Sequence, residues 1–269
     1  MPSAEIIAIG TELLLGEIAD TNTQVIARAF RELGIDIYRT SIVGDNKERI
    51  ISVVREAMGR SEIIITTGGL GPTVDDPTRS ALAQATGSEL VFHPELWESI
   101  SLRITKAGRI PGENQKRQAF IPKNAQVIVN PVGTAPGFSI TTSSNVIFSI
   151  PGVPAEMKTL LDNSILPFLQ DHYNLQETLV VHVLHTSGAG EGWIDEKIGD
   201  LEVLSNPTVG LAAHYGIVDI RIAAKAQNTV KANMQIIEVE KEIRKRLGNY
   251  IFGCNADKLE RIALEVVTS

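Results

Sequence analysis

The sequence holds one cysteine, Cys254, in 269 residues, so no disulfide can form within the chain and a reducing compartment is expected. No run approaches the ~20 consecutive apolar residues that cross a bilayer. Met1-Pro2-Ser3-Ala4-Glu5 lacks the basic segment that opens a secretory signal. A cytoplasmic protein with no membrane partner is therefore expected. A basic excess is missing too: 25 Lys and Arg stand against 32 Asp and Glu, a net charge of −7. That balance argues against a nucleic-acid partner but not against phosphate, which backbone amides and a metal ion can hold. The histidines, His93, His172, His182, His185 and His214, show no HxxxH or HExxH spacing, and no GxSxG turn occurs. Zinc chemistry and a serine hydrolase are both disfavoured.

What is present is ordinary globular material, 43% hydrophobic, with a clear rhythm. Residues 5–10 form a short apolar run ending in glycine, which suits a buried strand. Val25, Ile26, Ala29, Phe30 and Leu33 then recur at helical spacing, closed by Gly34. A strand over 35–43, a helix through Ile50, Val54 and Met58, a β-branched strand over 62–67 and a helix over about 79–85 follow. After a less regular stretch, 145–150 returns as a core strand, and Met157, Leu160, Leu161, Ile165 and Leu169 mark a further helix. This alternation predicts an α/β domain with a mostly parallel sheet wrapped by helices. Ligands then sit at the carboxyl ends of the strands, so the loops after Ile9, Val43 and Thr67 should share one face.

From residue 178 the order becomes β-α-β-β-α-β, which predicts a smaller α+β domain of ferredoxin-like or KH-like type. The expected division is 1–172, 173–258, and a helical tail or the start of a further domain over 259–269.

Thr67-Gly68-Gly69-Leu70-Gly71 after a buried strand is a phosphate-loop candidate, since glycines let amide N–H groups converge on an anion. No Lys-Ser/Thr follows, and the spacing is not GxGxxG. A tight structural turn is the bland alternative. Glu12, Asp45, Asp75 and Asp76 should gather near this loop, where their mutual repulsion would be relieved by a divalent ion shared with ligand phosphate. Helix capping by Asp45 and Asp76 is the alternative reading of that pair.

Several motifs occur in order: Gly10-Thr11-Glu12-Leu13-Leu14-Leu15-Gly16, Asp20-Thr21-Asn22, Val43-Gly44-Asp45, the run from Thr67 through Pro72-Thr73-Val74-Asp75-Asp76-Pro77-Thr78, and Pro151-Gly152-Val153-Pro154-Ala155-Glu156-Met157. Over roughly residues 4–260 the chain resembles the competence/damage-inducible protein CinA family. The resemblance implies a molybdopterin-binding, MogA-like first domain and metal-dependent hydrolysis of ADP-ribose to AMP and ribose 5-phosphate. By motif position it makes Asp45 and Asp76 the catalytic pair, with magnesium, manganese or cobalt held by Asp45, Asp75 and Asp76. Substrate would be bound by Gly10, Thr11, Glu12, Asn22, Gly68, Gly69, Gly71, Pro72 and Thr73. It also implies a homo-oligomer, dimer or trimer; many members add a C-terminal domain that deamidates nicotinamide mononucleotide, and that activity is expected to be absent here. Leu70 departs from the threonine usual in molybdopterin adenylyltransferases, which removes a hydroxyl from the loop. The other functions compatible with these residues are a molybdopterin or flavin-nucleotide processing enzyme and a non-catalytic nucleotide-binding scaffold.

Overall fold

The computed structural model describes residues 2–74, 76–175 and 178–268, apart from the side chains of 263 and 265–268. The chain divides into two compact units, one built mainly from residues 1–175 and one mainly from 176–269.

In the first unit β1 (Ser3–Ile9), the short α1 (Thr11–Leu14), α2 (Thr21–Glu32), β2 (Asp36–Val43), α3 (Lys47–Met58), β3 (Ile63–Thr67) and α4 (Thr78–Ala85) alternate as expected. There follow β4 (Leu90–Phe92), α5 (Pro94–Lys106), α6 (Glu113–Lys116), β5 (Phe120–Pro122), β6 (Ala125–Ile128), β7 (Gly137–Thr141) and β8 (Val146–Ile150). α7 (Pro154–Leu160) passes through a π turn at Leu161–Ile165 into α8 (Leu166–His172).

The main sheet runs β2-β1-β3-β8-β7-β6. Its first four strands are parallel, and β7 and β6 are added antiparallel. Ile6, Ile7 and Ala8 are all fully buried, as are Ile63, Ile64 and Ile65, because helices cover both faces. On one face Ile7, Ile64 and Ile147 pack with Ile50, Val54 and Leu82 from α3 and α4. The crossovers β1-α2-β2 and β2-α3-β3 run in opposite directions along the sheet, so the right-handed rule for such connections assigns α2 to the other face. There Phe148, in register with Ile65, meets Phe168 of α8 edge-on at 5.6 Å.

Two features go beyond the sequence rhythm. Strand β7 follows directly on Pro136, and the turn residues before it mask five residues that pair with both neighbours. The β4–β5 pair has three residues on each strand, too few for a period to show.

The second unit is β9 (Thr178–Ser187), α9 (Glu191–Glu202), β10 (Thr208–His214), β11 (Ile217–Ala226), α10 (Thr229–Leu247) and β12 (Ile251–Cys254), with α11 (Leu259–Thr268) after it. Its sheet order, β10-β11-β9-β12, is antiparallel throughout. This is the split β-α-β arrangement. Leu184, Ile220 and Ile222 meet Ile194, Ile198, Ile236 and Ile243 in a core of its own.

His185 on β9 has acceptors at both ring nitrogens, Asp219 Oδ1 at 2.7 Å from Nδ1 and the Asn255 carbonyl at 2.9 Å from Nε2. Only the imidazolium donates to both. Burial opposes the charge, but the bonds to Asp219 and Asn255 and the charges of Asp219 and Asp257 outweigh it and raise the pKa. His214 Nε2 lies 3.2 Å from the other Asp219 oxygen. A folded pKa above the unfolded value of about 6.5 stabilises the unit fully below about pH 6.5, and this contribution is lost as pH rises through the folded pKa. Unfolding in urea, followed through Trp193 with Trp97→Phe, should therefore show stability falling as pH rises above about 6.5. His185→Gln should flatten that fall; an unchanged slope would assign it to other groups.

Candidate phosphate-binding site

Because β1, β2, β3 and β8 run parallel, their carboxyl ends lie along one edge, and backbone bonds join those ends. Gly10 N–H donates to the Val43 carbonyl and Gly68 N–H to the Ile150 carbonyl, each at 3.0 Å. The turn after β3 needs its first two glycines. Gly68 has φ +107°, and a Cβ there would sit 2.0 Å from the Ile9 carbonyl oxygen. Gly69 has φ +64°, and its Cβ would sit 2.0 Å from Thr78 Oγ1. No L side chain fits either position.

The loop is braced from beneath. Arg79, 4% exposed, donates from its two terminal nitrogens to the carbonyls of Leu70 at 2.7 Å and Gly71 at 2.6 Å. Thr78 Oγ1 donates to the Gly68 carbonyl at 3.1 Å. In a trans peptide the N–H points opposite to the C=O. Holding the Gly68 and Leu70 carbonyls on the core side thus turns the N–H groups of Gly69 and Gly71 toward the cavity that these residues line. Among the described residues the N–H groups of Gly69, Leu70 and Gly71 have no acceptor. They form an anion-binding concavity with a buried guanidinium behind it. Burial pushes the Arg79 pKa down to about 10, with Asp76 opposing the shift, so the group is charged at neutral pH.

The cavity has a volume of about 650 Å³. Among the described residues five carboxylates line it: Glu12, Asp20, Asp45, Asp76 and Glu156. Two are held by matching clasps. Asp45 Oδ2 accepts from Thr11 N at 2.8 Å and Thr11 Oγ1 at 2.9 Å. Asp76 Oδ2 accepts from Thr73 N at 2.8 Å and Thr73 Oγ1 at 2.6 Å. In both, Oδ1 has no hydrogen-bond partner among the described residues. Neither aspartate caps a helix: Asn46 caps α3 by accepting from Arg49 N, and Pro77, with no side-chain bond, precedes α4.

The cavity thus brings together Gly10, Glu12, Asn22, Asp45, Gly68, Gly69, Gly71, Pro72, Thr73 and Asp76. Thr11 stands behind Asp45, through the clasp. Asp75 lies outside the described residues. Asn22 Nδ2 is engaged by Thr67 Oγ1 at 3.1 Å and the Gly152 carbonyl at 2.7 Å, so this residue ties α2 to the ends of β3 and β8. Among the described residues no three His, Cys, Asp or Glu side chains are gathered for a metal. The free oxygens of Asp45 and Asp76 fit a divalent ion of the kind that takes one or two carboxylates and completes its shell with ligand phosphate and water. Leu70 is 2% exposed and packs in the core with α3 and α4, so only its backbone faces the cavity. A hydroxyl at that position would point away from a ligand.

Sequence reasoning missed Arg79, Gln118, Asp20 and Glu156. Glu156 stood within a recognised motif. Its Oε2 accepts from Asn130 Nδ2 at 2.6 Å, and Asn130 in turn holds the Ala135 carbonyl and the N–H groups of Val132 and Gly133. Nothing local marks Arg79, which reads as one more polar residue of an amphipathic helix.

This fold, with its braced glycine loop, defines an α/β domain of the molybdopterin-binding class. The family profile described as "Probable molybdopterin binding domain" matches residues 5–171, and that described as "Damage-inducible protein CinA KH domain" matches 181–253. The chain belongs to the CinA family. It is 41% identical over 263 residues to a CinA-like protein of Prochlorococcus marinus, covering 97% of this chain and 62% of the relative. A CinA-like protein of Kosmotoga olearia is 41% identical over 265 residues, covering 98% and 64%. The chain therefore spans a little under two thirds of the length of these curated relatives. The crystal structure of the protein CinA with unknown function from Thermoplasma acidophilum matches with a TM-score of 0.57 and 31% identity, covering 63% of this chain and 97% of that one. Among the described residues no helix is long and apolar enough to cross a membrane.

Replacing Arg79 by Met should cost about 3 kcal/mol of stability, since two buried carbonyls lose their donors. It should also weaken inorganic pyrophosphate binding at least about tenfold by calorimetry. Arg79→Lys, unable to reach both carbonyls as a fork, should not restore the affinity. Unchanged affinity in Arg79→Met would separate the brace from anion binding.

Proposed function

We propose that the cavity binds a nucleotide joined to a sugar through pyrophosphate, of the ADP-ribose type, and hydrolyses the anhydride to AMP and ribose 5-phosphate. The observation that carries this reading is the pair of unpartnered N–H groups at Gly69 and Gly71, turned toward the cavity by the hold of Thr78 and Arg79 on the Gly68 and Leu70 carbonyls, with the unpartnered Leu70 N–H between them. Two fixed amides on one anion supply directed donors that need no reorganisation as charge develops on phosphate oxygen. About 650 Å³ falls within the range of cavities that enclose ligands of this size.

Water attacks one phosphorus, forming a new P–O bond as the bridging P–O bond breaks, and the bridging oxygen leaves with the other phosphate. The proton lost by water passes to a cavity carboxylate that the ion does not use, for which Glu12 on the cavity wall is available, and then to solvent. A divalent ion, when bound by those two carboxylates, would neutralise phosphate charge and acidify water. The threonine clasps hold each carboxylate in one orientation, so no side-chain freedom is lost when substrate enters. The family profile's description favours a second reading, in which the phosphate belongs to a pterin.

The test is AMP release from ADP-ribose, followed by chromatography, with magnesium, manganese, cobalt or chelator present. Wild type should release AMP only with metal. Asp76→Asn and Asp45→Asn, which retain a carbonyl oxygen for the clasp, should lose at least about a hundredfold in rate while melting near wild type. Folded protein that releases no AMP with any metal would end the pyrophosphatase reading.

A further inference from the structure

Gln118 is 2% exposed, lines the cavity and makes no hydrogen bond among the described residues. Its Oε1 is sealed from solvent without a donor. Its Nε2 makes no hydrogen bond among the described residues either, and the residue stands in the cavity wall. A primary amide with every hydrogen-bonding site unused is an exception among buried side chains. Nor has the residue simply drifted there. It sits in a single 3₁₀ turn, Arg117–Ala119, whose last residue is fully buried with Ile100 and Ile104 and whose Ala119 carbonyl accepts from His93 N at 2.9 Å. The backbone is anchored by its neighbour, which holds the amide in the cavity wall.

We infer that Gln118 is a specificity-determining residue that reads the nitrogen heterocycle of the ligand, and that this heterocycle is an aminated purine base. The inference rests on the proposed nucleotide site and names its base-recognition element. An amide carries one donor and one acceptor face side by side, and its terminal torsion is soft. A small rotation presents both to a ligand edge that offers an acceptor next to a donor, as adenine does with N7 and its amino group. Such an edge satisfies both ends of the amide at once. A phosphate, which offers acceptors only, satisfies one. The glycine loop already supplies amide donors for phosphate, so Gln118 is left for the base.

The experiment is calorimetry on the full chain with two probes: ADP-ribose, which has the base, and inorganic pyrophosphate, which lacks it. In Gln118→Met, ADP-ribose affinity should fall at least about tenfold while pyrophosphate affinity stays the same. The melting temperature of the free protein should hold or rise, since a buried amide without partners is exchanged for an apolar side chain of similar length. A structural glutamine would instead lower it. Gln118→Glu, which loses the donor, should also weaken ADP-ribose selectively. Equal losses for both probes, or no loss for ADP-ribose, would overturn the inference, as would a wild type that binds pyrophosphate and ADP-ribose equally well. Selective loss of binding in a protein that never releases AMP would retain base reading by Gln118 and discard only the hydrolytic step.

Discussion

Two hydrogen bonds from one guanidinium, Arg79 to the carbonyls of Leu70 and Gly71, set the orientation of the loop on which the proposed function of the first unit depends. A glycine-rich turn has many conformations within reach, and most of them scatter its amides. Pinning the carbonyls on the core side selects the one in which the N–H groups face the cavity together. The arginine is almost wholly buried, so its charge sits in a low-dielectric setting where its effect on an anion in front of the loop is little screened by water. The cost of burying it is offset by the two carbonyls and by the charge of Asp76.

Around that brace, the parallel sheet does the gathering. Four strands end at one edge, and their loops meet without any long excursion of chain. The tight approach of Gly68 to the Ile9 carbonyl closes the distance between β1 and β3, and Asn22 draws the end of β8 to the same point. The carboxylates tolerate one another because the clasps give Asp45 and Asp76 two donors each, and Asn130 gives Glu156 one. The second unit follows a different logic. Its antiparallel sheet has one well-packed core, and β9 carries a histidine whose two acceptors favour its charged form.

The alternation of strands and helices was legible because both sheet faces are covered, which writes itself as unbroken apolar runs such as Ile63-Ile64-Ile65 between helical periods. The glycine loop and the two aspartates were legible for a similar reason: backbone that must turn left-handed next to another strand admits only glycine, and loop carboxylates stand out beside it. Strand β7 and the β4–β5 pair were not, since a three- to five-residue strand beside Pro and Gly carries no period.

What the sequence by itself determined is local in origin: which segments bury two faces, which turns exclude a side chain, and which carboxylates follow strand ends. What only the tertiary structure decided is the partner of each polar group. Whether Asp45 caps a helix or clasps Thr11, whether residue 70 faces ligand or core, and whether Arg79 or Gln118 has a partner all depend on atoms brought from distant segments. Hydrogen bonds reach about 3 Å and are fixed in direction, so they are settled only once packing has placed both ends, whereas apolar burial needs no particular partner and can be read in advance.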